Sequence, residues 1–418
     1  MTIRTRPAEA GHYVPGMIVG VCIALTIACS RPADPAEWTM AVQRVAAPSG
    51  VNSSEPQFVA SQGGVVLSWV EREGKTTSLK YAERSGAGWT SPVTAASGDD
   101  WFLSYADVPS VMKLSNGTYV AQWLQQLDPF LEAYNLRMAY SKDSGKTWSP
   151  SFLPHHDNTR TQHGFASLVE LPGSTAGVVW LDGRNSEFDF DDPDTGTMTL
   201  RYGAFDANWK QIADVEIDHK VCECCPLSVV PTGDGLLAGF RDRSDTEVRD
   251  IAVSRLEGGK WTTPTPVFND NWQLDLCPVN GPMLSSRGRD VAAAWFTVKN
   301  DLGQAYAAFS SDAGRTWTTP IRLDDRGSLG RVDVELLEDG SALASWVEYA
   351  EGAADFRVRR IDRSGAKSGA INVAPVSGGR ASGYPRMALQ GETVMFAWTD
   401  SDDATGQLQM MTAVGELP

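Results

Sequence analysis

Seven short apolar runs punctuate the chain, and each closes on an aromatic residue. They are VVLSW to Trp69, TYVAQW to Trp123, AGVVW to Trp180, LLAGF to Phe240, VAAAW to Trp295, ALASW to Trp346 and VMFAW to Trp398. Successive aromatic ends stand about 50 to 60 residues apart. Runs of this length, bounded by Gly and Pro and without a sustained 3.6-residue period, read as strands. Ahead of each lies a shorter strand, often with a proline, and a turn with a glycine. Behind each lies a third strand: LKYAE, RMAYS, LRYGAF, DIAVS, YAAFS, RVRRI and LQMMTA. In four copies a further strand follows, opened by Trp and Pro: WTSPV from Trp89, WSPSF from Trp148, WTTPTPV from Trp261 and WTTPI from Trp317.

Four short antiparallel strands repeated at a steady interval are what a β-propeller blade requires. The expected fold is all-β: a single β-propeller of seven four-stranded blades filling residues 39–418, with no second domain. The last repeat ends after its third strand, near Val414. Residues 39–48 (TMAVQRVAAP) are free to supply its missing outer strand. Such closure leaves no open sheet edge between the first and last blades.

Two turns between third and fourth strands share a sharper pattern. Ser141, Asp143, Gly145, Thr147 and Trp148 in one, and Ser310, Asp312, Gly314, Thr316 and Trp317 in the other, fit S-x-D-x-G-x-T-W. The pattern resembles the Asp-box, or BNR repeat, of the sialidase superfamily, and degenerate copies begin at Glu83 and Leu256. Ser and Asp accept backbone N–H bonds in such a turn, Gly takes a positive φ, and Trp packs between blades, which is a structural role. The resemblance covers nearly all of the chain beyond residue 38. Sialidases have six blades, so a six-bladed ring is the alternative to the seven repeats counted.

In a four-stranded meander, the turns from third to fourth strand lie on one face. The loops from second to third strand, and from blade to blade, lie on the other. His155, His156, His163 and His219, with Cys222, Cys224, Cys225 and Cys277, all fall in blade-to-blade loops entering blades 3, 4 and 5. The same face receives Arg160, Asp182, Arg184, the cluster Arg241, Asp242, Arg243, Asp245, Glu247 and Arg249, then Asp270, Trp272, Asp275, Asn280, Tyr384 and Arg386. A face that gathers guanidinium, carboxyl, imidazole and thiol groups is the expected ligand face of a propeller. Arg184, Arg241, Arg243, Arg386, His163, Trp272 and Asn280 are its candidate binding residues. Ion pairs that close loops between blades are the structural alternative for Arg241, Asp242, Arg243 and Asp245.

The likeness to sialidases implies more specific roles: three arginines on a sugar carboxylate, an Asp acid/base, and a Tyr nucleophile polarised by Glu. On this chain those roles fall to Arg184, Arg241 and Arg386, to Asp182, and to Tyr384 with Glu247. The Arg-Ile-Pro of a sialidase first blade is missing, and SSEPQFVAS (Ser53–Ser61) stands in its place.

Charge narrows the partners. A formal net charge of −16 excludes nucleic acid, which needs a basic face, and repels an anionic ligand unless arginines gather locally. Arg4 and Arg6 precede an apolar run over residues 17–28, too short to span a bilayer comfortably, which ends in LTIAC at Cys29. The ending resembles a bacterial lipobox, with Thr26 where Leu is usual. Residues 1–29 therefore read as a signal with Cys29 lipidated, and residues 30–38 as a tether. The expected place is the cell envelope, on a lipid anchor, as a monomer.

Cys222, Cys224, Cys225 and Cys277 remain outside the signal. An even number in an exported chain predicts disulfides, with Cys222–Cys225 and Cys224 or Cys225 to Cys277 as the pairings open to it. Thiolates and imidazole from His163 or His219 also suit copper or zinc. Three functions follow as expectations: recognition of a glycan or an envelope protein, sialidase-type glycoside hydrolysis, and Cys/His metal binding or redox work.

Overall fold

Along Asp290–Lys299, Val291, Ala293 and Trp295 pack with Leu237 and Val253, while Ala292 and Ala294 pack with Val334 and Trp346. Side chains of a strand alternate between its two faces, so one run serves the seams with both neighbouring sheets. That is why the runs are apolar throughout and do not alternate with polar residues. The computed structural model describes residue 2 and residues 37–418, apart from 87, 129–131, 187–195 and 402–404. The signal and Cys29 lie outside the described residues.

The seven runs are the second strands of seven antiparallel sheets, which are the blades. Their first strands are Ser53–Ser61, Ser110–Lys113, His163–Leu171, Ser228–Thr232, Met283–Arg287, Ser328–Leu336 and Arg386–Gln390, for blades 1 to 7. Residues from all seven line a central cavity of about 400 Å³. Each seam between neighbouring blades has its own apolar cluster. Trp69, Trp180, Trp295, Trp346 and Trp398 are essentially inaccessible there. Truncating one buried Trp costs about 3–5 kcal/mol by loss of contacts and the cavity left behind.

Val42–Val45 closes the ring. It pairs antiparallel with Leu408–Glu416, Val42 opposite Gly415 and Val45 opposite Thr412, as the outer strand of blade 7. Seven sheets replace the six-bladed alternative. Trp38, assigned to the tether, is buried with Phe356 and Trp398 and belongs to the propeller. Blade 2 has three strands, Ser110–Lys113, Tyr119–Asp128 and Ala133–Ser141; its WSPSF segment makes a single bridge, Phe152 to Met138. Pro150 within that segment has no N–H for a ladder.

The two S-x-D-x-G-x-T-W turns have matching bonds. Ser310 Oγ donates to Asp312 Oδ1 at 2.7 Å and accepts Gly314 N–H at 2.9 Å. Asp312 also accepts Thr316 N–H at 2.9 Å and its hydroxyl at 2.7 Å. Ser141, Asp143, Gly145 and Thr147 repeat these contacts. Gly145 and Gly314 have φ of 82° and 81°. A Cβ at Gly314 comes within 2.8 Å of Leu237 in blade 4, and one at Gly145 within 2.1 Å of the Tyr81 hydroxyl in blade 1. These turns therefore press each blade onto the one before it, and Trp148 meets Tyr81 edge-on at 6.2 Å. Gly314→Ala is expected to lower unfolding stability by about 1–3 kcal/mol through the positive φ and the Leu237 clash, read as the shift in urea midpoint.

Candidate functional site at the channel mouth

The first strands of blades 1, 3 and 6 each bulge where they reach the mouth, between Ser54 and Gln57, Gly164 and Ser167, and Gly330 and Asp333. Glu55, Phe165 and Arg331 occupy the bulges with φ of 57°, 51° and 52°. Left-handed backbone in non-glycine residues is strained and concentrates at sites where a side chain must be aimed. Tyr384 fills the corresponding position of blade 7, one residue before Pro385.

Tyr384 is buried, donates its hydroxyl to the Val279 carbonyl in the loop entering blade 5, and stacks on Tyr105 at 6.5 Å between centroids. Burial, then the neighbouring Cys225, raises its pKa well above the ordinary phenol value. Arg386 lies over the same ring at 5.2 Å and reaches Met283 Sδ at 3.3 Å. It lines the cavity with Ser110, Ser167, Ser228 and Asp333.

Arg241 is spent on backbone: Nε, Nη1 and Nη2 donate to the carbonyls of Asn280, Arg249 and Phe296 at 2.7, 2.5 and 2.7 Å. Its guanidinium also lies over Trp272 at 5.0 Å. Asn280 accepts Arg331 N–H at 2.8 Å and donates to the carbonyls of Pro278 and Leu329. Arg241, Trp272 and Asn280 thus lock the loops of blades 4, 5 and 6 together. Arg243 and Arg249 share Glu223 and Glu247 in a four-membered ion network. The Arg243 hydrogen bond comes first among the interactions that hold the Glu247 carboxyl below its usual range. Asp245 is paired with Lys220 at 2.8 Å.

A second network lies on blade 3. Arg184 clasps Asp182 through two 2.7 Å bonds, and Trp180 Nε1 adds a third at 2.9 Å. Burial acts to raise the Asp182 carboxyl, but Arg184 and His163 overcome it and leave it lowered. The His155 and His163 rings stack in parallel at 3.8 Å, and each presents a nitrogen 3.1 Å from Asp157. His163 is fully buried in this stack.

The arrangement departs from the sialidase expectation on chemical grounds. The Tyr384 hydroxyl is bonded to Val279, and Glu247 is held by two arginines. Asp182 is held as a carboxylate, whereas a general acid needs a raised pKa. Of the three arginines mapped to the sugar carboxylate, Arg184 and Arg241 have carboxylate or carbonyl partners within the chain, whereas Arg386 lines the cavity beside Met283.

The loop KVCECCPLS meets the loop entering blade 5. Cys222 and Cys225, themselves a C-x-x-C pair, bring their sulfurs to 3.3 Å, beyond the roughly 2.05 Å of a disulfide. Cys222, Cys224 and Cys225 have donor atoms all within 4.8 Å of one another. Cys222, Cys224, Cys225 and Cys277 are free thiols in the structure, with Cys277 exposed. His219 takes no part: its side chain is 80% exposed and faces Asp218 at 3.8 Å.

Residues passed over in the sequence complete the mouth. Tyr105 is half-buried, with the guanidinium carbons of Arg331 and Arg380 at 6.0 and 5.5 Å from its ring centre. Arg380 is exposed and has no acidic partner within 4 Å among the described residues. Aligning the first strands repeat by repeat puts Arg331 in register with Glu55 and Tyr384, a signal that was available. Asp107, fully buried, accepts Phe165 N–H at 2.7 Å.

No protein-family model matches the chain, and no curated protein matches it. Among solved structures, a protein of unknown function from Dyadobacter fermentans is 17% identical with a TM-score of 0.52, covering 90% of this chain and 99% of its own. The polysaccharide lyase Uly1 is 9% identical with a TM-score of 0.50, covering 87% and 90%. The intramolecular trans-sialidase from Ruminococcus gnavus is 12% identical with a TM-score of 0.47, covering 75% and 96%. At these identities the likeness is one of fold. The chain is a seven-bladed β-propeller, and its structural neighbours include sialidase-like glycosidases and polysaccharide lyases.

Burial pushes the Asp107 carboxyl up to about 7, against hydrogen bonds from Phe165 and Tyr134. Burial likewise pushes Glu55 to about 7 against Arg72. Unfolded carboxyls lose their protons near pH 4. The folded state therefore binds these protons more tightly, and stability falls as pH rises from about 4 to about 7. Asp107→Asn keeps the acceptor for Phe165 and removes one titration. Its urea midpoint is expected to fall less steeply than the parent's between about pH 5 and 7.5.

Proposed function

We propose that the protein is an envelope-anchored β-propeller that binds an acidic glycan at the face opposite its S-x-D-x-G-x-T-W turns. One observation carries the reading: the half-buried Tyr105 stands beside Arg331 and the exposed Arg380. An aromatic ring is a stacking surface for a sugar, and a free guanidinium is a fork for its carboxylate. The net charge of −16 makes such a local positive spot the place where an acid group is tolerated. The fold likeness to a polysaccharide lyase supports a glycan as ligand. An envelope protein is the other ligand class that this face suits.

Titration calorimetry with uronate-containing and neutral oligosaccharides tests it. Arg380→Ala is expected to weaken the acidic ligand about tenfold, or about 1.4 kcal/mol, and leave a neutral one unchanged. Tyr105→Ala is expected to weaken both. Absence of binding to any acidic oligosaccharide sinks the reading. Hydrolysis of a fluorogenic sialoside, lost on Tyr384→Phe, favours the sialidase alternative instead.

The lipobox-like end supports the anchoring. Cys29→Ser is expected to move the chain from the membrane fraction to the soluble envelope fraction, followed by immunoblot.

A further inference from the structure

The cysteine cluster is not used by a glycan site, and it carries an independent inference. We propose that Cys222, Cys224, Cys225 and Cys277 form a thiolate site for one soft closed-shell cation, Zn²⁺ or Cu⁺, that joins the loops entering blades 4 and 5.

Convergence is the first ground. Three sulfurs from one short loop lie within 4.8 Å of one another. A cation about 2.3 Å from each sulfur asks for sulfur separations of roughly 3.8–4 Å, which small side-chain rotations supply. Cys222 Sγ and Cys225 Sγ already lie 3.3 Å apart, and Cys277 is the exposed cysteine of the loop entering blade 5. Two disulfides need only pairwise approach, whereas three sulfurs gathered around one point are what a common centre requires.

The surroundings are the second ground. Arg249 Nη1 lies 3.2 Å from Cys222 Sγ, and the Asn280 N–H points to Cys225 Sγ at 3.4 Å. Donors aimed at sulfur stabilise thiolates and hold the ligands in place. Glu223, the carboxylate inside the loop, is bound to Arg243 and Arg249. The scaffold is already tight: a Cβ at Gly281 of the partner loop overlaps the Pro226 carbonyl at 1.5 Å.

The donor set selects the ion. Four sulfurs favour Zn²⁺ or Cu⁺ over Mg²⁺, Ca²⁺ or Mn²⁺. Zn²⁺ takes all four; Cu⁺ takes the three of Cys222, Cys224 and Cys225. Binding is coordination alone, with each ligand thiol releasing its proton to solvent.

The full chain, reduced and kept anaerobic, is titrated with Zn²⁺, with Co²⁺ as a spectroscopic stand-in, and with Cu⁺. One equivalent is expected, with sulfur-to-cobalt charge-transfer absorption. Zn²⁺ should protect four thiols from alkylation, and Cu⁺ three, leaving Cys277 reactive. Cys277→Ser, at an exposed position, should weaken Zn²⁺ about tenfold or more and leave Cu⁺ little changed; Cys224→Ser should weaken both by about a hundredfold. Circular dichroism and the melting curve confirm that the variants fold. No binding to the folded, reduced chain, unchanged binding in Cys224→Ser, or two complete disulfides in the protein isolated from the envelope would each overturn the assignment.

Discussion

Every blade is a small sheet with apolar side chains on both faces, and that burden governs the rest of the molecule. One blade alone leaves two greasy surfaces in water, so stability comes only from seams, and the last seam exists only if the ring closes. Closure depends on Val42–Val45 pairing with Leu408–Glu416, which ties the two ends of the propeller into one sheet. Trp38 then caps the seam between blades 6 and 7. Once the ring is shut, the first strands surround a cavity and the blade-to-blade loops crowd one mouth.

Crowding explains how arginines are used there. Buried loop carbonyls need donors, and Arg241 supplies three from a single side chain. A charge-assisted bond of this kind contributes about 1.5–3 kcal/mol, so the loops of blades 4 and 5 behave as one unit. Arg243 and Arg249 do similar work through Glu223 and Glu247. Outside these ties lie the exposed Arg380, the half-buried Tyr105 and the thiols of the loop entering blade 4. The rigid frame of ion pairs is what keeps those groups in place.

The all-β fold, the seven blades and the N-terminal closure were legible because they rest on short-range pattern: strand period, turn glycines and a spacing near 50 residues. Which loops share a face was legible for the same reason, since strand order decides it. Roles at the mouth were not. Tyr384 looked like a reactive phenol, but its hydroxyl meets a carbonyl more than a hundred positions back along the chain. His219 looked like a metal ligand because it neighbours Cys222, yet it sits on an exposed strand end facing Asp218. Tyr105, Arg331 and Arg380 come from three separate stretches and carry no local signature.

By itself, the sequence determined the number of blades, their order and the side of the ring on which cysteines, histidines and arginines gather. Those properties follow from alternation and repetition, which act between near neighbours. The tertiary structure decided which of the gathered groups are consumed and which are free. That depends on distances across a closed ring, set by the packing of all seven seams together. The same residue type therefore ends as a loop tie at Arg241 and, among the described residues, as an exposed cation with no acidic partner at Arg380.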